Sequence, residues 1–258
     1  MTMHCLRAGA GSPPIVFVHG FACAHEDWQL QVAHFAGTQR VLACDLRGHG
    51  RTPGTPAECT IERYGTDVVE LLETLESPAV LVGHSMGCRV VLQANREVPG
   101  RVAALALVDG SRMGSGSAAQ AGEAMRAAIE FTGYPAFAEA LFSQMFLKPG
   151  AHAARIIERA RRLPAEVGMA LFPALVRWDA SCLEDALAAV RVPLLVIQST
   201  TLNADRKRVP MRAGETTPWL ELVRSRVPGV CIEVIPGVGH FPQIEAAERV
   251  NFLIGSLL

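Results

Sequence analysis

The chain has almost no lysine. Lys148 and Lys207 are the two it carries among 258 residues, so Schiff-base chemistry has little material to work with. It has no charge surplus either. Twenty-four basic against 25 acidic residues leave a net of −1, which excludes the counterion-releasing surface that nucleic-acid binding draws on and the basic face an anionic membrane attracts. Long apolar runs are missing. The longest, 102–108 and 193–197, fall far short of the ~20 residues a membrane-spanning helix needs. The first five residues lack a charged start followed by an apolar run, so no secretory signal is expected there. Cysteine pairs are missing as well. The seven cysteines are odd in number, scattered and without a Cys-x-x-Cys motif. They read as reduced thiols of a cytoplasmic protein and not as a disulfide framework or zinc site.

What is present is a large apolar fraction, 50%, in a chain long enough to bury a core without staples. Short apolar runs alternate with longer amphipathic ones, which predicts an α/β protein with a mostly parallel sheet. Strands are expected at 15–18, 40–44, 79–82, 102–108, 194–198 and 231–235. Ahead of the first there is room for one more at most. Helices are expected at 26–35, from Thr60 as N-cap to about 75, at 86–97, 183–190, 218–226 and 242–257. Between 112 and 178 the rhythm changes to helical segments alone. This stretch reads as an inserted helical cap, with 1–111 and 179–258 as the core.

Three stretches carry chemistry. Gly83-His84-Ser85-Met86-Gly87 lies between a strand and a helix, where a tight turn exposes the serine hydroxyl above the sheet. The bland alternative is a glycine-rich turn with a bystander serine. His19-Gly20-Phe21 follows the first sure strand. It would bring the backbone N–H of Phe21 toward that of Met86, and two such donors make an oxyanion hole. Gly237-Val-Gly-His240-Phe follows the last strand, from which a loop histidine can reach the serine and take its proton. His19 and His84 read as packing and orienting residues.

With Asp45-Leu-Arg-Gly-His-Gly50, these elements resemble the α/β-hydrolase superfamily across nearly the whole chain. The resemblance implies a nucleophile–acid–histidine triad in that chain order, matched by Ser85 and His240. The acid departs from the family pattern. After the penultimate strand, Ser199 stands where glycine is usual and Leu202 where aspartate is expected. Asp109, at the end of the strand after the nucleophile helix, is the favoured acid. Asp205 is the runner-up, followed by Asn203, Asp179 and Glu215. The acid holds the histidine's tautomer and stabilises its imidazolium.

A serine nucleophile points to acyl transfer. The expectation is a carboxylesterase cleaving small, mostly hydrophobic acyl or aryl esters, acting as a monomer or homodimer without metal or organic cofactor. Its rivals are hydrolysis of a C–C bond in ring-fission products, a perhydrolysis side activity, and a slow-turnover small-molecule receptor on the same fold. Phe142 and Phe146 of the cap, with Trp219 and Phe241, are expected to line the substrate pocket. The basic run Arg206-Lys207-Arg208 reads as a solvated face, the alternative being selection of an acidic substrate.

Overall fold

The computed structural model describes residues 3–148, 150–203 and 207–258. Nine strands are found among them: β1 Cys5–Ala8, β2 Ile15–Val18, β3 Val41–Cys44, β4 Ala79–His84, β5 Val102–Val108, β6 Leu194–Gln198, β7 Thr200–Leu202, β8 Arg208–Pro210 and β9 Cys231–Val234. Seven form one sheet in the order β1-β3-β2-β4-β5-β6-β9. β1 pairs antiparallel with β3, and every other neighbour in that sheet is parallel. β7 and β8 make a separate antiparallel pair.

The central strands read as unbroken apolar runs because helices cover both faces of the sheet. Alternate side chains divide the core in two. Val16, Val18 and Leu81 face α2 (Ile61–Glu73) and α3 (Met86–Glu97), while Ile15, Phe17, Val80 and Val82 face α1 (Gln29–Phe35) and α11 (Ala247–Gly255). Thr60 caps α2 as its residue type suggests, its Oγ1 accepting from Arg63 N at 3.2 Å.

Between β5 and β6 run α4 (Ala118–Thr132), α5 (Tyr134–Ser143), α6 (Ala151–Arg162), α7 (Ala165–Ser181) and α8 (Leu183–Ala188); α9 (Pro218–Arg226) and α10 (Pro242–Glu245) follow later. The structure differs from the expectation in three places. The helix predicted from 26 opens as a 3-10 turn, His25–Trp28, with α1 proper beginning at Gln29. The last helix is broken at Ala246, whose φ of −139° and ψ of 45° are not helical. The helix expected to stop at 178 runs on to Ser181.

Candidate active site

The parallel strands end along one edge of the sheet, and four chain segments leaving that edge converge there. Ser85 follows β4, Asp109 follows β5, His240 follows β9, and Gly20 and Phe21 follow β2. A cleft at the carboxyl ends of such strands is where this architecture collects its reactive groups.

Ser85 stands at φ 54° and ψ −112°, in the left-handed region that side chains avoid. Holding a non-glycine residue there costs about 1–3 kcal/mol and persists only where the surroundings enforce it. They do so here. Ser85 N donates to Val108 O at 2.9 Å, and the turn is too tight for side chains on either flank. A Cβ on Gly83 would run into the Gly87 carbonyl, and one on Gly87 into the Val18 carbonyl. Asp109 also has a positive φ, 47°.

His240 Nδ1 lies 2.6 Å from Asp109 Oδ2. With that nitrogen donating to the carboxylate, Nε2 is left to take a proton. Both residues are buried. Burial pushes the His240 imidazole down to about 4, and the Arg208 cation pushes the same way; the Asp109 contact opposes them. Burial pushes the Asp109 carboxyl up, but the His240 hydrogen bond and charge, with Arg208 and Thr200, outweigh it and hold the group at about 2. Ser85, His240, Gly20, Phe21 and Phe142 line one small cavity, which leaves about 30 Å³ for the centres of water-sized molecules. Ser85 Oγ makes no hydrogen bond among the described residues, a looseness usual before substrate tightens such a site.

Met86 opens α3, so its N–H has no intrahelical acceptor. Next to Phe21, the N–H groups of Ala22 and Cys23 are committed to His49 Nε2 and Gly20 O, at 3.2 and 3.3 Å.

Of the proposed acids, Asp109 stands beside His240. Asp179 is paired with Arg89 at 2.6 Å. Glu215 is exposed and accepts from Arg212 N. Asn203 is exposed and accepts from Lys207 N. Asp205 lies outside the described residues. Of the proposed pocket residues, Phe142 and Phe241 line the cavity with Ser85. Phe146 stacks behind Phe241, with ring centres 4.8 Å apart. Trp219 lines a neighbouring cavity of about 300 Å³.

Several residues that support the site escaped sequence reasoning. Ser199 N and Thr200 N donate to Asp109 Oδ1 at 2.7 and 2.8 Å, Ser199 Oγ does so at 3.0 Å, and Thr200 Oγ1 donates to Oδ2. The serine that replaces the family's usual glycine therefore holds the acid. Pairing of Val108 with Ile197 in the parallel register places 199 and 200 there, and that pairing was the signal available. His84, which the sequence marks as an orienting residue, places Nε2 2.7 Å from His240 O. Arg89, one turn into α3, donates to Asp179, to Ser85 O at 3.2 Å and to Ser111 O at 2.7 Å.

One cluster of metal-ligating types lies away from the cleft. His4, His25 and Asp45 place ligand atoms within 4.8 Å of one another. The Asp45 carboxylate is already engaged by His25 N, His25 Nδ1 and Arg51 N at 2.9–3.0 Å, while His4 Nδ1, 3.2 Å from Asp45 Oδ2, is buried without a hydrogen bond.

The model of the alpha/beta hydrolase family matches residues 15–251 of the chain. The chain belongs to the alpha/beta hydrolase family. Its curated relatives include the carbamate hydrolase candidate RutD of Variovorax paradoxus, 34% identical over 87% of the chain and 83% of that protein. The dihydrolipoyllysine-residue acetyltransferase component of the acetoin cleaving system of Pseudomonas putida is 27% identical over 94% of the chain, and the chain spans 62% of that longer protein. Among solved structures, an N-acyl homoserine lactone degrading enzyme superposes with a TM-score of 0.76 at 26% identity, covering 99% of this chain and 96% of that one. The enol-lactonase of Burkholderia xenovorans superposes at 0.77 with 23% identity over 99% and 95%, a likeness of fold. No helix among the described residues of this chain is long and apolar enough to cross a membrane.

Proposed function

We propose that this alpha/beta hydrolase is a serine esterase that cleaves small carboxylic esters through an acyl-enzyme. Ser85 attacks the carbonyl carbon and passes its proton to His240 Nε2. Asp109 keeps the imidazole in the productive tautomer and balances the imidazolium. The N–H groups of Phe21 and Met86 receive the oxyanion. The proton on His240 leaves with the alcohol, and water activated by the same nitrogen opens the acyl-enzyme.

The observation that carries this reading is the 2.6 Å contact between His240 Nδ1 and Asp109 Oδ2 on the cavity that Ser85 lines. Ser199 and Thr200 hold that carboxylate in place for the contact. The lactone-degrading and carbamate-hydrolase relatives act on neighbouring acyl chemistry, which supports the class of bond. Residues 112–178 serve as the lid, since Phe142 and Phe172 come from that stretch to roof the cavity. Seven unlinked cysteines favour a reducing, cytoplasmic setting.

The test is hydrolysis of p-nitrophenyl esters from acetate to octanoate, beside labelling by a fluorophosphonate probe. Ser85→Ala is expected to lose labelling and about 10⁴-fold or more in turnover. Turnover that survives in Ser85→Ala would remove the nucleophile from the proposal. Labelling without turnover of any ester would leave the nucleophile and move the substrate to another acyl or C–C bond.

A further inference from the structure

Arg206 of the basic run lies outside the described residues and Lys207 is exposed, but the Arg208 side chain is only 7% exposed. It extends from β8 to the acid of the site. Arg208 Nη1 donates to Thr200 Oγ1 at 2.7 Å and reaches Asp109 Oδ2 at 3.4 Å. A guanidinium has five N–H donors. Among the described residues, Nε and Nη2 of Arg208 donate to nothing. The carboxylate beside it is already taken by His240, Ser199 and Thr200. A buried cation is thus left with one long contact to a shared anion, an arrangement that costs stability unless a further partner arrives.

The space for that partner is present. Arg208 belongs to the walls of both cavities, the small one at Ser85 and the neighbouring one of about 300 Å³. The larger is lined by Thr200, Thr201, Thr217 and Trp219, and among the described residues no carboxylate side chain is found in its wall. Trp219 Nε1 is buried there without an acceptor. One cavity therefore has an unspent guanidinium edge in its wall, next to the small cavity that Ser85 lines, while the Trp219 N–H is sealed against Gly110.

Charge balance leads to the same place. The imidazolium that forms on His240 depends on the negative charge of Asp109. Arg208 offsets that charge, and an anion resting on Arg208 would return it.

We infer that the larger cavity is a carboxylate subsite. There Arg208 binds an acidic group of the substrate, so the preferred substrates are half-esters of small dicarboxylic acids or lactone acids of similar reach. This inference rests on the serine-esterase reading and names the substrate class of that same site. A planar two-oxygen acceptor suits the two-donor edge of a guanidinium better than a neutral ester does.

The experiment compares kcat/KM for the monoethyl esters of succinate, glutarate and adipate with that for the corresponding diethyl esters. The wild type is expected to favour the half-ester about 10-fold or more at the best chain length. Arg208→Gln is expected to lose that preference, mainly through KM, by roughly 10- to 100-fold, the range a charged hydrogen bond commands. Glutarate should inhibit the unmodified enzyme competitively and Arg208→Gln far more weakly. The inhibition arm needs no substitution in the wild type, so misfolding of a variant does not decide the matter. Equal losses on half-esters and diesters would make Arg208 a positioning partner of Asp109 and overturn the subsite, as would a wild type that disfavours half-esters and ignores glutarate. A fluorophosphonate probe run on every sample separates the two levels. Labelled enzyme without carboxylate preference sinks the subsite alone, whereas unlabelled wild type sinks the serine-esterase reading beneath it.

Discussion

The two walls of the cleft are held by different forces. The sheet-side wall is fixed by directional bonds. Asp109 is gripped by Ser199, Thr200 and His240, His84 reaches the His240 carbonyl, and Ser85 is strained between two glycines that tolerate no side chain. The wall contributed by residues 112–178 is mostly packing. Phe21 meets Phe142 and Phe172 with ring centres 6.5 and 5.0 Å apart, and the outer face of this helical stretch leaves Phe131 92% exposed. Its polar ties to the site are few: Met145 O accepts from His240 N at 2.6 Å, and Gln144 Oε1 accepts from Arg208 N at 2.9 Å. Hydrogen bonds fix angles and distances, whereas packing tolerates exchange of one apolar shape for another. The wall built from directional bonds is thus the one least able to drift.

The sharpest way to break this contrast is Asp109→Asn. An amide there cannot hold the imidazole in the tautomer that leaves Nε2 free, so kcat is expected to fall about 10⁴-fold with KM little changed. Stopped-assay kinetics on p-nitrophenyl butyrate read it directly, and a loss under tenfold would remove Asp109 from the acid's role.

Acid should act on the sheet-side wall first. His49, His84 and His240 are held by burial at about 4, 3 and 4, below an ordinary value of 6.5. Between about 4 and 6.5 the unfolded chain binds protons that the native state refuses, so stability falls as pH falls. Stability from these groups is complete above 6.5 and is lost as pH drops toward and through 4. Melting temperature measured from pH 7 to 4 should decline steadily, while kcat/KM holds down to about pH 5 before the base is protonated. A melting temperature independent of pH over that window would contradict the burial of neutral histidines.

Phe142→Leu should have the smallest effect. It trims one ring from the roof and is expected to change relative rates across the ester chain-length series by a few-fold, with fluorophosphonate labelling kept. Loss of labelling would show that the roof also holds the catalytic groups.

Local features of the site were legible before the fold was known. The elbow around Ser85 and the loop bearing His240 announce themselves through strand, glycine and helix within a few residues. The six later strands of the main sheet and the Thr60 cap are local in the same sense. Non-local features were not legible. Nothing near Ser199 and Thr200 says that they grip Asp109, ninety residues away, because only the β5–β6 register brings them together. The β7–β8 hairpin is three residues a side, too short for a periodicity to show. It carries Arg208 inward, which reverses the surface reading its neighbours Arg206 and Lys207 invite. Boundaries at 25–29 and 246 slipped because a 3-10 turn and a single non-helical residue leave the apolar spacing nearly intact.

The ion pair between Arg89 and Asp179 has an engineering consequence. Asp179 Oδ2 also accepts from Met113 N at 2.6 Å, and Arg89 Nη2 donates to Ser111 O. The chain's departure from the core and its return are thereby fastened to one guanidinium on the nucleophile helix. A segment whose two ends meet at a single anchor can be excised and replaced without spreading the scaffold beneath it. Helices grafted between Met113 and Asp179 would present a new roof to the cleft, provided they restore a carbonyl where Met145 O accepts from His240 N.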